Sequence, residues 1–285
     1  MSHPTPIDFG RTTLRFDGPA HIMGIINCTP DSFSDGGAHL DKVKAVEAGL
    51  LMVEQGASIL DVGGESTRPG AWPVGLQEEL DRVVPVIEAL RRRSEVLISV
   101  DTMKAAVAEA ALAAGADMVN DVTGMTGDAS MARVVARSGA AAVLMHMRGD
   151  PRTMQRDTDY GGDLVEVIAD GLDALVERAV EAGVARERLI VDPGIGFGKD
   201  GEGNLRLIGS AGRFGRGGLA VLIGPSRKSF IGQVLGIADP AERDWGTAAA
   251  CAAAVMSGAH VLRVHAVGPM VQVARMAHAI MRARG

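Results

Sequence analysis

The chain has 285 residues, of which 47% are hydrophobic and 22% charged, with a formal net charge of -6. This length suits one large α/β domain, and the apolar share is sufficient for a packed core, which excludes an intrinsically disordered chain. The negative charge argues against a general binder of nucleic acid or of anionic membranes, because such surfaces need clustered lysine and arginine. The composition therefore predicts one folded domain with a local cationic site for any anionic ligand.

Short apolar runs alternate with longer amphipathic stretches along the chain. Residues 1–20 are predicted to form an N-terminal extension with a short strand at 12–16, beside the main fold. The apolar runs predict strands at 21–27, 58–62, 97–100, 118–121, 141–145, 189–192, 219–223 and 261–264. Amphipathic stretches predict helices at 42–55, 77–92, 104–114, 164–182 and 267–282, and several helices should end at the glycines Gly56, Gly115, Gly139, Gly183 and Gly258.

This alternation is typical of a single (β/α)8 TIM barrel over residues 21–285. An open, doubly wound sheet is the alternative fold. It would carry a glycine-rich loop directly after its first strand, where this chain has Asn27 followed by Cys-Thr-Pro. The barrel is therefore the preferred prediction.

Nearly every predicted strand ends in a polar residue or a polar loop. These ends are Asn27, Asp61, Asp101, Asn120 with Asp121, His146, Asp192, the segment 226–229, and Arg263 with His265. In a barrel they meet at one mouth, where active sites lie. Taken singly, Asp101 and Asp121 are better explained as caps of a helix or turn, and His146 as a core histidine. Polar ends on all the strands together favour a functional site.

Two kinds of chemistry are combined at these ends. One kind suits hydrogen bonds to a flat, donor-rich heterocycle. The acceptors and the amide for it are supplied by Asp101, Asn120 and Asp192. Cations that suit a phosphate or pyrophosphate are supplied by Arg68, Arg227, Lys228, Arg263 and His265. A helix that starts near Lys228, after the seventh barrel strand, would add backbone N–H groups. One ligand with both features is predicted.

Two long glycine-rich loops, 29–37 and 63–70, follow the first two barrel strands. They are either surface connections or, as we expect from their position, lids that close over substrate. Cys28 and Cys251 are far apart and belong to no metal-binding pattern, so free thiols are expected. The N-terminus lacks a secretory pattern, and no apolar run approaches the about 18 residues of a membrane span. A cytoplasmic protein is expected.

Four motifs carry a resemblance to a known family. They are MGIINCTPDSFSDGG at 23–37, DVGGESTRPG at 61–70, DPGIGFGK at 192–199 and SRKS at 226–229, and shorter matches at 99–102, 119–122, 144–147 and 263–265 continue the series. On these motifs the chain resembles the dihydropteroate synthases, which are pterin-binding enzymes. The resemblance implies a transferase of folate biosynthesis that joins 6-hydroxymethyl-7,8-dihydropterin pyrophosphate to p-aminobenzoate, giving 7,8-dihydropteroate and pyrophosphate.

The resemblance also implies a role for individual residues. The pterin would be held by Asp101, Asn120, Asp192 and Lys228, and the pyrophosphate by Asn27, Arg68, Arg263 and His265, with Mg²⁺ at Asn27. The p-aminobenzoate site, where sulfonamides compete, would be formed by Phe33, Thr67, Pro69, Phe197 and Ser229. The residues with catalytic roles would be Asp101, Asp192, Lys228, Arg263 and His265. They would stabilise a pterin cation and the departing pyrophosphate.

Three positions depart from the family pattern. Ala266 stands where an aspartate usually follows the last-strand histidine, Cys28 where valine is common, and Pro225 before the serine of the 226–229 motif. The lost aspartate would remove a partner of His265. Two alternative functions stay open: a methyltetrahydrofolate-dependent methyltransferase, which would not be expected to carry the 226–229 motif, and a pterin-binding paralogue with weak or no synthase activity.

The last predicted helix bears an apolar stripe. Its members are Met270, Val273, Ala274, Ala277 and Met281. Because late helices form a dimer interface in this family, the resemblance implies a homodimer. Packing of the stripe on the barrel explains it equally well.

Overall fold

The computed structural model describes residues 3–29, 37–66, 71–149, 154 and 158–283. In chain order the strands are β1 (Ile7–Asp8), β2 (Thr13–Leu14), β3 (His21–Asn27), β4 (Ile59–Gly63), β5 (Leu97–Asp101), β6 (Met118–Asp121), β7 (Ala141–Met145), β8 (Leu189–Asp192), β9 (Ala220–Ile223) and β10 (Val261–Val264). Strands β3 to β10 are parallel and close into a barrel in chain order, with β10 paired to β3. The predicted TIM barrel is confirmed.

The helices in the described part of the chain are α1 (Gly37–Glu54), α2 (Leu76–Arg93), α3 (Ala105–Ala113), α4 (Met131–Ser138), α5 (Leu164–Glu181), α6 (Gly201–Ile208), α7 (Ser229–Leu235), α8 (Asp244–Met256) and α9 (Val267–Ala283). The predicted helices correspond to α1, α2, α3, α5 and α9, and α7 begins beside Lys228 as expected. All the predicted glycine caps have a positive φ. None of these helices is long and apolar enough to cross a membrane.

Three helices were not predicted. Helices α4 and α6 have 8 residues each, which is too short for a sustained apolar repeat. Helix α8 is rich in alanine, and its buried and exposed faces are both largely apolar, so it has no amphipathic pattern. Helical periodicity therefore detects only the longer, amphipathic members of the outer ring.

The N-terminal hairpin of β1 and β2 closes one end of the barrel. Its side chains Ile7 and Leu14, together with Phe16, pack in the same apolar cluster as the inward residues at the beginning of the barrel strands. The Phe16 ring also meets the rings of His21 and His260 edge-on. The segment predicted as a strand beside the fold thus forms half of a hairpin that covers the barrel floor.

Side chains alternate between two apolar environments along each barrel strand. In β4, Ile59 belongs to the cluster inside the barrel, whereas Leu60 belongs to the larger cluster between strands and helices. Leu97 and Ile98 divide in the same way on β5. Further along, the inward positions change from apolar to polar, for example at Asp61. The barrel interior therefore has an apolar lower half and a polar layer at the mouth.

Candidate active site

The inward polar positions near the carboxyl ends of the strands form one layer. Its members, by strand alternation, are Asn27, Asp61, Ser99, Asp101, Asn120, Asp192 and Arg263. The register pairs Asp101 of β5 directly with Asn120 of β6. Asp101, Asn120 and Asp192 are all buried. The structure therefore brings together the three acceptor and amide residues that the sequence singled out.

Arg263 lies between two carboxylates of this layer. Its Nε atom donates to Oδ2 of Asp61 at 2.6 Å, and its Nη2 atom donates to Oδ2 of Asp101 at 2.6 Å. Burial opposes the charge of the guanidinium, but Asp61 and Asp101 raise the pKa of Arg263 above its ordinary value. A residue predicted for the pyrophosphate is thus hydrogen-bonded to a residue predicted for the pterin.

Asp101 and Asp121 have different roles, although both end buried strands. Burial raises the pKa of Asp101 to about 7, with Arg263 opposing the shift. At the start of α3 the backbone N–H of Ala105 donates to Oδ2 of Asp128 at 3.0 Å and not to Asp101, so the capping explanation of Asp101 is wrong. Asp121, on the outward face, accepts the backbone N–H of Thr123 at 2.8 Å and of Met125 at 3.1 Å. The capping explanation is right for Asp121, which stabilises a turn outside the barrel.

Lys228 and Asp192 form the opposite side of the mouth. The Lys228 ammonium donates to the carbonyl of Ile195 and lies 4.6 Å from the centre of the Phe197 ring. Burial lowers the pKa of Lys228 to about 8, and Asp192 opposes this shift. Burial raises the pKa of Asp192, and the Lys228 charge opposes that shift. The Oδ1 atom of Asp192 accepts the backbone N–H of Gly194 at 2.7 Å. A cation, a carboxylate and an aromatic face therefore adjoin.

The loop after β8 is held by residues that the sequence did not identify. Oδ1 of Asn204 accepts the N–H of Gly196 at 2.6 Å, where φ is 83°. The buried Lys199 ammonium donates to the carbonyl of His146 at 2.9 Å and lies 3.2 Å from its Nδ1 atom. Burial and Lys199 lower the pKa of His146 to about 3, so the ring stays neutral. His146 is a structural residue, and the loop carries Phe197 to the mouth.

His265 is oriented by Ser226. The serine Oγ atom lies 2.8 Å from Nδ1 of His265 and accepts its backbone N–H at 3.2 Å. This geometry allows the hydroxyl to donate to Nδ1, which leaves Nε2 as the protonated donor of the ring. Although Ala266 cannot supply the partner that an aspartate would, Ser226 does. The predicted loss of orientation is therefore offset within this site.

Arg227 has a role that differs from the one the sequence indicated. Its guanidinium makes two hydrogen bonds of 2.8 Å to Asp244, and its backbone N–H donates to Thr247 at 3.0 Å. The residue adopts a positive φ of 58°, which is unfavourable without such support. Arg227 therefore stabilises the turn before α7 and leaves Lys228 as the cation of this segment at the mouth.

Several predicted residues lie outside the described part of the chain. They are Phe33, Thr67, Arg68 and Pro69, together with most of the loops 29–37 and 63–70 that were predicted as lids. Asn27, at the end of β3, is half-buried. Within the described ranges, no cluster of three or more His, Cys, Asp or Glu side chains could hold a metal ion.

Sequence reasoning placed Asp61 and Ser226 at the mouth without giving either of them a role, and it gave no role to Lys199 or Asn204. For Asp61 a signal exists, because an aspartate at an inward, fully buried strand position needs a charged or hydrogen-bonding partner. The other three act across loops, and their contacts follow from tertiary structure alone.

Comparison with known proteins agrees with this geometry. The model of the pterin binding enzyme family matches residues 23–265. The dihydropteroate synthase of Synechocystis sp. is 47% identical over 98% of this chain and 96% of its own length. The Yersinia pestis dihydropteroate synthase, solved with a sulfonamide drug, has a TM-score of 0.91 and 41% identity over 98% of this chain and 100% of its own. The Xanthomonas albilineans dihydropteroate synthase, solved with 4-aminobenzoic acid, has a TM-score of 0.90 and 42% identity over 97% of this chain and 98% of its own.

The fold and the polar mouth define a TIM-barrel enzyme whose site lies at the carboxyl ends of the strands. The chain belongs to the pterin-binding enzyme family.

Proposed function

We infer that this chain has dihydropteroate synthase activity: it is a transferase that condenses 6-hydroxymethyl-7,8-dihydropterin pyrophosphate with p-aminobenzoate to give 7,8-dihydropteroate and pyrophosphate. The observation that carries this conclusion is the juxtaposition of buried carboxylates with the cations Lys228 and Arg263 in one barrel mouth. The carboxylates suit a donor-rich heterocycle, and the cations suit its anionic leaving group.

The pterin is assigned to Asp101, Asn120, Asp192 and Lys228. Ionised carboxylates accept the N–H groups of a pterin edge, and the Asn120 amide both donates and accepts. Because Asp101, Asn120 and Asp192 are buried, their hydrogen bonds are stronger than they would be in water. The same carboxylates favour positive charge on the pterin.

The pyrophosphate is assigned to Asn27, Arg68, Arg263 and His265. A His265 ring that is protonated at Nε2, the form that its contact with Ser226 allows, is a hydrogen-bond donor toward an anion. The guanidinium of Arg263 has five donors, and only two of its N–H groups are used by Asp61 and Asp101 in the hydrogen bonds described above. Helix α7 has only 7 residues, so these side chains supply most of the positive charge.

Mg²⁺ is proposed as the cofactor, with Asn27 as its protein ligand. The donor set fits, because Mg²⁺ is usually bound through one or two protein oxygens together with substrate phosphates, and a carbonyl oxygen of an asparagine is such a ligand. When bound, the ion would neutralise charge that develops on the departing pyrophosphate.

The arylamine is assigned to Phe33, Thr67, Pro69, Phe197 and Ser229. Of these, Phe197 and Ser229 lie in the described part of the chain, where Phe197 presents its ring beside Lys228 and Ser229 is exposed at the start of α7. An aromatic face and an exposed hydroxyl suit a flat ring with a polar substituent. Sulfonamides, which resemble p-aminobenzoate, are proposed to compete at this place.

The proposed reaction is a dissociative substitution. The bond between the pterin methylene carbon and the pyrophosphate oxygen breaks, and its electron pair leaves with the pyrophosphate. Asp101 and Asp192 stabilise the methylene cation, while Arg263 and His265 stabilise the anion. The lone pair of the p-aminobenzoate amine then forms the new C–N bond, and one amine proton passes to solvent. Neither partner becomes covalently bound to the protein.

Inhibition kinetics distinguish this activity from the methyltransferase alternative. A sulfonamide is expected to compete with p-aminobenzoate and not with the pterin substrate, since the two sites hold different halves of the product. The compared relatives, named as synthases, support this expectation. Methyl transfer from methyltetrahydrofolate without any use of p-aminobenzoate would contradict the proposal.

We also propose a homodimer in the cytoplasm, a location that the free thiols Cys28 and Cys251 support. The apolar stripe of α9 does not supply the interface, because Met270, Ala274 and Ala277 are buried against the fold. A better surface is the exposed, uncharged face of α8, formed by Trp245, Ala249, Ala253 and Met256, together with Met276 of α9. Trp245 is 88% exposed, which is typical of an aromatic residue that contacts a partner.

The dimer predicts an effect of charge on this face. Ala253→Glu places a carboxylate at the centre of the α8 surface and is expected to give a monomer in analytical ultracentrifugation, whereas the unmodified chain sediments at twice its mass. Ala106→Glu, at an exposed position of α3, is the matched control and should leave the mass unchanged. A wild-type monomer at micromolar concentration would contradict the proposal.

A further inference from the structure

Asp61 has no assigned role, yet it lies at the centre of the polar layer. Its side chain is completely buried, with an exposure of 0%. One oxygen, Oδ2, accepts both Nε of Arg263 at 2.6 Å and Nδ2 of Asn120 at 3.0 Å. A single carboxylate oxygen therefore fixes one residue assigned to the pyrophosphate and one assigned to the pterin.

Asp101, the second carboxylate that accepts a hydrogen bond from Arg263, differs from Asp61 in one respect. Asp101 is itself assigned to the pterin, so substrate competes with Arg263 for its oxygens. Asp61 has no such assignment and is fully buried, whereas Asp101 retains some exposure at the mouth. When a pterin occupies Asp101, the hydrogen bond from Nε of Arg263 to Asp61 can persist. The two bonds of the guanidinium therefore have separate functions.

We propose that Asp61 is a positioning residue for the two halves of the pterin pyrophosphate: it holds Arg263 and Asn120 in place while the Asp101–Arg263 hydrogen bond opens to admit the pterin. Opening that bond frees an N–H group of Arg263 for the anion at the moment Asp101 is taken by the heterocycle. This inference rests on the proposed function and adds a residue to it.

A positioning role of Asp61 and a purely electrostatic role predict opposite changes in the affinity for pyrophosphate. Removing the negative charge of Asp61 would by electrostatics alone tighten the binding of pyrophosphate. Loss of positioning has the opposite effect, because Arg263 then pairs only with Asp101 and the Asn120 amide loses its acceptor. A positioning role therefore predicts weaker binding of both ligands, and a purely structural role predicts lower stability with unchanged affinities.

The test uses Asp61→Leu, which is close to aspartate in size and removes both the charge and the oxygen that accepts from Arg263 and Asn120. Binding of 6-hydroxymethylpterin and of inorganic pyrophosphate with Mg²⁺ is measured separately by calorimetry on folded protein. Each dissociation constant is expected to rise about tenfold, the scale of one charge-assisted hydrogen bond. Asp17→Leu is the matched control and should leave both constants unchanged, since Asp17 is an exposed aspartate that pairs with Arg15 beside the hairpin at the other end of the barrel.

Unchanged affinities in Asp61→Leu, or tighter pyrophosphate binding, would overturn the inference. A crystal structure of the wild-type protein with a bound pterin gives a second test that does not depend on folding of the variant. Arg263 is expected to remain on Asp61 and to have left Asp101, and the reverse arrangement would overturn the inference. If the wild-type protein bound neither ligand, the proposed function itself would be wrong.

Discussion

Arg263→Met is expected to lower kcat/KM for the pterin pyrophosphate by roughly a hundred- to a thousand-fold, the scale for loss of one group that stabilises developing negative charge. It should also lower the free energy of unfolding by about 3 kcal/mol, because Asp61 and Asp101 lose the cation between them. Steady-state kinetics and urea unfolding measure the two effects.

Arg137→Met is the matched control for Arg263→Met. Arg137 forms an exposed ion pair with Glu109, and such pairs stabilise a fold by at most about 1 kcal/mol. This variant should leave kcat/KM unchanged. If Arg263→Met retained wild-type affinity for pyrophosphate, the assignment of the anion to Arg263 would be wrong.

Lys228→Met is expected to lower kcat/KM by roughly a hundredfold or more, since a buried charged donor contributes both to binding and to electrostatic stabilisation.

The same variant tests the pH dependence of kcat/KM. The pKa of Asp101 is raised to about 7 and the pKa of Lys228 is lowered to about 8, both chiefly by burial. Activity needs an ionised Asp101 and a protonated Lys228. The profile of kcat/KM should therefore rise through about pH 7 and fall above about pH 8.

The limbs of this profile can be assigned with single variants. Lys228→Met should abolish the alkaline limb and keep the acidic limb, whereas Asp101→Asn should do the reverse at a lower overall rate. An alkaline limb that persists unchanged in Lys228→Met would show that another group titrates there, and the role given to Lys228 would fail.

The barrel was predictable because its physical signals are local. A buried parallel strand is a short apolar run, and most of the runs here are followed by a polar end and an amphipathic stretch, so the order of strands can be predicted directly. Strand alternation also separates Asp101, which faces inward, from Asp121, which faces the helices. The alanine-rich helix α8 was not predictable, because its buried face and its exposed face are both largely apolar.

The contacts within the site were only partly predictable. Asp61 and Arg263 are 202 positions apart in sequence, and their hydrogen bond exists because barrel closure brings β4 and β10 within reach across the interior. The contact of Ser226 with His265 likewise joins β10 to the loop after β9. Sequence indicated which residue types gather at the mouth. It did not indicate that Arg263 is shared between two carboxylates, since that depends on distances in the folded state.

The central claim is that the mouth converts a pterin pyrophosphate and p-aminobenzoate into 7,8-dihydropteroate. The most direct measurement is pyrophosphate release by the purified protein from 6-hydroxymethyl-7,8-dihydropterin pyrophosphate with Mg²⁺, with and without p-aminobenzoate. We expect one dihydropteroate for each pyrophosphate released when p-aminobenzoate is present. Tight binding of the pterin without any turnover would contradict the claim and favour a pterin-binding paralogue without synthase activity.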